Sequence, residues 1–317
     1  MSKSVVVTGG AGFIGSHLVD RCLERGWDVT VIDDLSIGDR RNMQSFRSDV
    51  QFHKVDVRSN SLEKHIEGAD LIFHQAALPS VPRSFSSPVK STDINILGTV
   101  NLFQAADQVG ADRVVFASSS SVYGDKPELP KVETMSPDPQ SPYAASKQSK
   151  EIFGRVYSEQ FDLDVIGLRY FNVFGPRQNP NSDYAAVIPN FIQALLNGEQ
   201  PVIYGDGEQS RDFTFVKDVV KANMLAAESA QPGTVYNVGY NQQMTINDLL
   251  YELRRITGSQ IDPRYEAPRP GDVRHSRADS ERLREDAGFE PDYEVEQGLR
   301  KTVEWFENNH DRWKDGE

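Results

Sequence analysis

Residues 5–34, VVVTGGAGFIGSHLVDRCLERGWDVTVIDD, constrain the fold of this chain more than any other stretch. Val5, Val6 and Val7 form a short β-branched run of the kind that fills a buried parallel strand. Gly9, Gly12 and Gly15 follow at G-x-x-G-x-x-G spacing. Glycine at these points lets the chain turn tightly, brings bare backbone up to a pyrophosphate and packs the next helix close to the strand. The helix then offers free N-terminal N–H groups to phosphate. Its apolar residues Phe13, Ile14, Leu18, Val19, Cys22 and Leu23 recur at helical spacing until Gly26 ends it. Residues 29–32 give a second strand. Asp33 closes it roughly twenty residues past the glycines, where a carboxylate accepts hydrogen bonds from the adenosine ribose hydroxyls. Asp34 follows at once, and two carboxylates repel a 2′-phosphate. Arg40 and Arg41 lie near in sequence but replace neither acid, so the reading is NAD rather than NADP. A glycine triplet alone also suits a purely structural turn; the strand, helix and acid around this one favour dinucleotide binding.

At 317 residues the chain has room for a large core and is expected to form two domains. A hydrophobic fraction of 38% and a charged fraction of 26% fit a soluble globular protein, and no apolar run approaches a membrane span. The sequence opens directly on the first strand, so no signal peptide and a cytoplasmic location are expected. A net charge of −13 argues against a nucleic-acid surface while leaving room for a local basic pocket. The single cysteine, Cys22, lies on the apolar face of the first helix, which excludes an internal disulfide and implies a buried, inert thiol. The six histidines show no pairing at metal-ligand spacing, so no metal is expected.

Further along, residues 51–55 read as a third strand ending at Asp56, an acid placed to approach the adenine edge. Residues 71–74 read as a fourth, followed by Gln75, Ala76 and Ala77, which let a cofactor lie flat against backbone; His74 reads as a satisfied histidine at the strand end. A long helix is expected over residues 88–110 and a fifth strand over 113–117. This regular alternation implies a doubly wound parallel α/β sheet with its ligand at the carboxyl ends of the strands. There the chain places four serines, 118–121. QSPYAASK, residues 140–147, opens another helix with Ser141 as cap and Pro142 at its first position. Tyr143 and Lys147 stand four apart on one face, so the ammonium can sit beside the phenol, stabilise its phenolate and shift its pKa toward neutrality, making a general base. A sixth strand, 164–169, leads to a loop at 176–182 that leaves the first domain. Beyond it, helices are expected over 185–196, 215–229, 247–257 and 294–308, with strands over 201–204 and 234–238, the last returning to the main sheet. The division expected is 1–171 with 215–240 as a Rossmann domain, and 172–214 with 241–317 as a smaller mixed α/β substrate domain.

TGGAGFIGSH at 8–17, the acid at 33, SSSSVYG at 118–124, SPYAASK at 141–147, RYFNVFGPR at 169–177, YGDGEQSRDF at 204–213 and RPGDVRHS at 269–276 span nearly the whole chain. Together they resemble the extended short-chain dehydrogenase/reductases, specifically their nucleotide-sugar 4-epimerases. The resemblance implies Ser119 as catalytic serine, Tyr143 as base, and Lys147 as the residue that lowers the tyrosine pKa and holds the nicotinamide ribose. It implies an NAD site formed by Gly9, Gly12, Phe13, Ile14, Gly15, Asp33, Asp34, Ser36, Gly38, Asp56, Val57, Gln75, Ala76, Ala77, Asn95, Tyr143, Lys147 and Tyr170. For a UDP-sugar it implies Ser80, Ser119, Ser120, Ser121, Tyr143, Asn172, Ala186, Val187, Val202, Tyr204, Arg211, Arg269, Asp272 and Ser276. Asn172, Arg211 and Arg269 are expected on the phosphates, Asp272 on the uridine ribose, and Ser276 at carbon 2 of the hexose, where a small residue leaves space for an N-acetyl group. The related 4,6-dehydratases carry Asp-Glu after the catalytic serine or threonine and the decarboxylases carry Glu; Ser120 and Ser121 stand there here. A 4-epimerase of UDP-hexoses working through a 4-keto sugar is therefore expected, as a homodimer. Another nucleotide-sugar enzyme of the same group, or a silent NAD-binding sensor, stays open.

Overall fold

The computed structural model describes residues 2–180, 186–268 and 273–313. The N-terminal half runs β1 (Ser4–Thr8), α1 (Phe13–Glu24), β2 (Asp28–Ile32), β3 (Gln51–His53), β4 (Leu71–His74), α2 (Val81–Ser86), α3 (Pro88–Thr92), α4 (Gly98–Gln108), β5 (Arg113–Ser119), α5 (Pro142–Gln160) and β6 (Asp164–Tyr170). There follow β7 (Val173–Phe174), α6 (Val187–Asn197), β8 (Val202–Tyr204), β9 (Ser210–Arg211), β10 (Thr214–Phe215), α7 (Val216–Ser229), β11 (Val235–Val238), β12 (Met244–Thr245), α8 (Ile246–Thr257), β13 (Arg264–Glu266), α9 (Glu281–Ala287) and α10 (Val295–Asn308).

The main sheet has seven strands in the order β11-β6-β5-β4-β1-β2-β3, and every pairing is parallel. Strand order reverses between β1 and β4, the crevice at which open sheets of this kind take ligands. Alternation along β1 sends Val5 and Val7 to a core shared with Leu18, Val19 and Cys22 of α1 and Val219, Ala222 and Ala226 of α7, and sends Val6 to the opposite core with Leu102, Phe103 and Phe116. A third core, around Phe174, Phe191, Phe213, Phe215, Leu249 and Phe306, holds the smaller lobe together.

Some elements differ from expectation. The helix expected over 88–110 is broken by a π-helical segment, Asp93–Leu97, whose wider turn carries the buried Asn95. Helices α2 and α9 are too short for periodicity to reveal, and β13, exposed throughout and not expected from the sequence, pairs with β8. From the 241–317 segment, Leu283 and Phe289 join the core of the main sheet instead of the smaller lobe. His53 and His65, apart in sequence, have ring centroids 4.8 Å apart. No described helix is long and apolar enough to cross a membrane.

Candidate active site

A cleft of about 720 Å³ lies along the carboxyl ends of β1, β2, β4, β5 and β6 and continues against the smaller lobe. One end is the glycine turn. Gly9 N–H donates to Ile32 O at 2.7 Å and Gly12 N–H to Gly9 O at 2.9 Å, folding the backbone back on itself. Gly9 has φ +70°, and a Cβ at Gly15 would stand 2.1 Å from Gly9 O, so the close approach of helix to turn requires glycine. Gly12, Phe13 and Ile14 line the cleft beside them.

Asp33 lies across from the turn. Its carboxylate accepts from Ala11 N–H at 3.0 Å and Leu35 N–H at 2.8 Å. Burial pushes its pKa up and those two N–H groups oppose the push. Gly38 closes over it, because a Cβ there would sit 2.6 Å from an Asp33 oxygen. Asp34 accepts from the Ser36 N–H and hydroxyl. Asp56 lines the cleft with Val57, and Arg58 bonds its carboxylate and lowers its pKa. Neither Arg40 nor Arg41 is on this wall: Arg41 pairs with Asp39, and Arg40 lies over the Phe52 ring. The bare turn, the uncapped N-terminus of α1 and the unreplaced acids are a donor set that fits NAD.

Gln75, Ala76 and Ala77 form the floor, where Gln75 and Tyr170 share a hydrogen-bonded cluster with Asn223. Asn95 differs from expectation. It is fully buried behind the wall, accepts from Leu78 N–H at 2.7 Å, and donates to Leu78 O and the Ser146 hydroxyl, so it braces the wall from behind. His74 is held between the Thr8 and Thr99 hydroxyls, as its strand-end position implies.

The serine run divides its side chains. Ser118 turns inward to Glu151 at 2.5 Å, while Ser119 caps a short 3₁₀ turn and accepts from the Ser121 hydroxyl at 2.9 Å. Ser119 stands beside the Tyr143 phenol and favours its ionised form. Ser141 caps α5 by accepting from Ala144 N–H at 3.1 Å, with Pro142 beginning the helix as its sequence predicts. Lys147 stands one turn on, its Nζ 5.5 Å from the Tyr143 ring centroid and donating to Ala117 O at 2.8 Å. Here the expectation is corrected. Burial pushes the phenol pKa up, Ser119 opposes the push, and the ammonium lies over the ring. Burial also pulls Lys147 down to about 8.

At the far end stand Ser80, Ser120, Asn172, Ala186, Arg211 and Ser276, all on the cleft wall. Ser80 has φ +98° and Asn172 φ +31°, unusual conformations for residues with a side chain and ones that mark functional sites. Asn172 donates to Asp212 O at 3.0 Å, and Arg211 donates to Ser210 O at 2.9 Å. Val187, Val202 and Tyr204 line instead a side cavity of about 260 Å³ that shares Asn172, Val173, Ala186 and Arg211 with the cleft. Arg269 and Asp272 lie outside the described residues. Among the wall residues that sequence reasoning missed are Gln178 on the cleft and Gln209 on the side cavity. Each has a buried Oε1 without a hydrogen-bond partner among the described residues. Their only signal was membership of the RYFNVFGPR(Q) and YGDGEQSRDF stretches.

The family model described as "NAD dependent epimerase/dehydratase family" matches residues 5–239. A UDP-glucose 4-epimerase of Mycolicibacterium smegmatis is 40% identical over 310 residues, covering 96% of this chain and 98% of that one. Among solved structures, a UDP-N-acetylglucosamine 4-epimerase from Methanobrevibacter ruminantium in complex with UDP-N-acetylmuramic acid superposes with TM-score 0.94 at 47% identity, over 97% of this chain and 99% of that one. A UDP-glucose 4-epimerase of Thermus thermophilus in complex with NAD superposes with TM-score 0.88 at 36% identity, over 96% and 99%.

Proposed function

The chain belongs to the NAD dependent epimerase/dehydratase family, and from that premise we propose that it is an NAD-dependent 4-epimerase of UDP-hexoses. The observation that carries this reading is one cleft with a dinucleotide cradle at one end and Ser119, Tyr143 and Lys147 at its middle. When bound, NAD supplies a reversible acceptor for the hydrogen on carbon 4 of the sugar. Tyr143 Oη takes the 4-hydroxyl proton, directly or through Ser119 Oγ, and later returns it. Lys147 keeps a positive charge beside the phenolate. The sugar passes through a 4-keto form and must present its other face, so the lobe formed by 172–214 and 241–317 grips the nucleotide while the hexose stays loose. Arg211 suits the diphosphate because its planar fork matches phosphate oxygens. Epimerisation is favoured over dehydration or decarboxylation because the carboxylates lining the described cleft, Asp33, Asp34 and Asp56, all belong to its nucleotide end. Purified protein should interconvert UDP-galactose and UDP-glucose with no net reduction of NAD. Stoichiometric NADH formation, or a dehydrated or decarboxylated product, would overturn the assignment.

The small side chain of Ser276, on the cleft wall and only 9% exposed, supports space for a substituent at carbon 2 of the hexose. The substrate range therefore includes the UDP-N-acetylglucosamine and UDP-N-acetylgalactosamine pair. Ser276→Tyr should suppress kcat/KM for the acetylated pair selectively, since overpacking a tight site costs about 1–3 kcal/mol; equal loss on both pairs would remove Ser276 from substrate choice. The protein works as a cytoplasmic homodimer. Val89 on α3, Leu97 at the end of the π-helical segment, and Ile152, Phe153 and Val156 on α5 are exposed large apolar residues on helices that pack together, a surface suited to cover by a second copy. A monomer in sedimentation at working concentration would count against that pairing.

A further inference from the structure

Glu151 stands one turn beyond Lys147 on α5, outside the cleft wall. Its side chain is 8% exposed and that of its partner Arg169, on β6, is 4%. Glu151 Oε2 accepts from Arg169 Nη2 at 2.7 Å, and Oε1 accepts from Arg169 Nε at 2.9 Å and from Ser118 Oγ at 2.5 Å. Arg169 Nη1 donates onward to Tyr123 Oη at 2.8 Å, and that hydroxyl donates to Asn237 Oδ1 at 2.7 Å. One carboxylate thus joins α5, the end of β5, and β6. Lys147 Nζ is bonded to Ala117 O, so ammonium and carboxylate engage consecutive residues of the same strand, immediately before Ser119.

A buried ion pair contributes little net stability compared with well-packed apolar groups, because desolvation offsets most of the attraction. This pair has a second use within reach. Burial pulls the Lys147 ammonium toward the neutral amine, and the charge of Glu151 opposes that pull. The other groups around it offer no negative charge. Lys150, on the same helix, is buried and has no hydrogen-bond partner among the described residues, and burial pulls its pKa well down. His74, from β4, is neutral. Tyr143 and Tyr123 are held as phenols, and the charge of Arg169, from β6, is positive. On the helices packed over α5, Asp93 is paired with Arg58, Lys90 is exposed and Arg83 half-buried.

Resting on the assignment of Tyr143 and Lys147 above, we propose that Glu151 is a positioning residue for the proton transfer: clamped by Ser118 and Arg169 four residues past Lys147 on α5, it fixes the strand end carrying Ser119 against the helix carrying Tyr143 and sets a negative charge on the Lys147 side of that seam. The sign of the effect follows. Without the carboxylate, Lys147 loses its proton at lower pH, and with it goes the positive charge lying over the Tyr143 ring.

The test compares wild type with Glu151→Gln as NAD-loaded protein. Two readouts are followed against pH: kcat/KM, and phenolate absorbance with Tyr143→Phe as the blank. We expect the alkaline limb to move down by about one pH unit and the Tyr143 phenolate to appear at higher pH, the size of shift typical of losing one charged neighbour. At pH 8, kcat should fall about tenfold with KM changed by less than about twofold. Because Glu151→Gln leaves Arg169 buried and unpaired, Glu151→Gln/Arg169→Met provides a second variant without the stranded charge; its alkaline limb should still lie below that of wild type. If both variants lose kcat evenly at every pH, with the limb and the phenolate titration unmoved, Glu151 is a packing residue and the proposal fails. The underlying assignment fails separately, and visibly, if Tyr143→Phe itself keeps turnover.

Discussion

At its nucleotide end the cleft is walled by backbone and by side chains whose partners lie within the protein, whereas at its sugar end it is walled by longer side chains carried on two-residue strands and connecting segments. Asp33 already takes N–H groups from Ala11 and Leu35, and the glycine turn is closed by its own hydrogen bonds. At the other end Arg211 rests on the carbonyls of Ser210 and Arg274, and the Oε1 atoms of Gln178 and Gln209 have no hydrogen-bond partner among the described residues. Ser80 and Asn172 hold strained backbone there. The difference teaches that the glycine-turn end is closed by its own hydrogen bonds, whereas the far end keeps buried polar atoms unsatisfied, which under the proposed function a sugar nucleotide would meet. Substitutions at the first should act as all or none on cofactor retention, and those at the second should grade KM and substrate choice.

The largest effect is expected where the two ends meet. Tyr143→Phe should lower kcat by about 10²–10⁴-fold while the protein keeps its fold and its NAD, because one hydroxyl carries the proton transfer. Single-turnover kinetics with UDP-galactose check this, and near-normal turnover would remove Tyr143 from the chemistry. Next is Gly15→Ala, a breaking test of the closed end. Its Cβ meets a backbone oxygen at 2.1 Å, which cannot rotate away, so a cost of about 3 kcal/mol or more and protein purified without NAD are expected. Retained NAD would mean that the turn is less rigid than its hydrogen bonds imply.

His17 tests the seam. Its Nε2 reaches across from α1 to Pro176 O at 3.0 Å, in the segment that crosses to the sugar end. Burial, then the charge of Arg177, pulls its pKa down to about 4. The folded value lies below the unfolded one, so between pH 6.5 and 4 the unfolded chain binds the extra proton and stability falls as pH falls. The effect is at most about 3 kcal/mol. Urea unfolding across that window should show a shallower loss in His17→Gln than in wild type; parallel curves would assign acid sensitivity to other groups. The smallest effect sharpens the sugar end. Arg211→Ala should raise KM for UDP-sugars about tenfold with kcat nearly unchanged, the magnitude of one charged hydrogen bond. A loss confined to kcat would move Arg211 from binding into the chemistry.

Much of the site is legible in the sequence because its parts are local. The glycine spacing, the acid at the end of β2, the Ser141 cap and the Tyr143 to Lys147 interval are set by a few consecutive residues and by strand and helix geometry. What escapes is non-local or too short for periodicity. Asn95 is turned into the core by a π-helical segment that 3.6-residue spacing does not anticipate. Gln178 and Gln209 sit in loops whose side-chain directions depend on what packs against them. The pKa of Tyr143 moves opposite to the direction its spacing implies, because spacing places a cation near a ring but says nothing of how deeply both are buried.

The sequence by itself determined the parallel α/β architecture, the dinucleotide end of the cleft and the identity of the residues that α5 presents to the cleft, since each rests on residue type and short-range spacing. Tertiary structure alone decided that Leu283 and Phe289 pack on the main sheet, that Ser118 turns away from Ser119 toward Glu151, and that Arg169 pairs with that carboxylate. These arrangements join segments from 18 to more than 100 residues apart. Their energies come from burial and from the satisfaction of buried polar groups, quantities that exist only once distant parts of the chain have excluded water together.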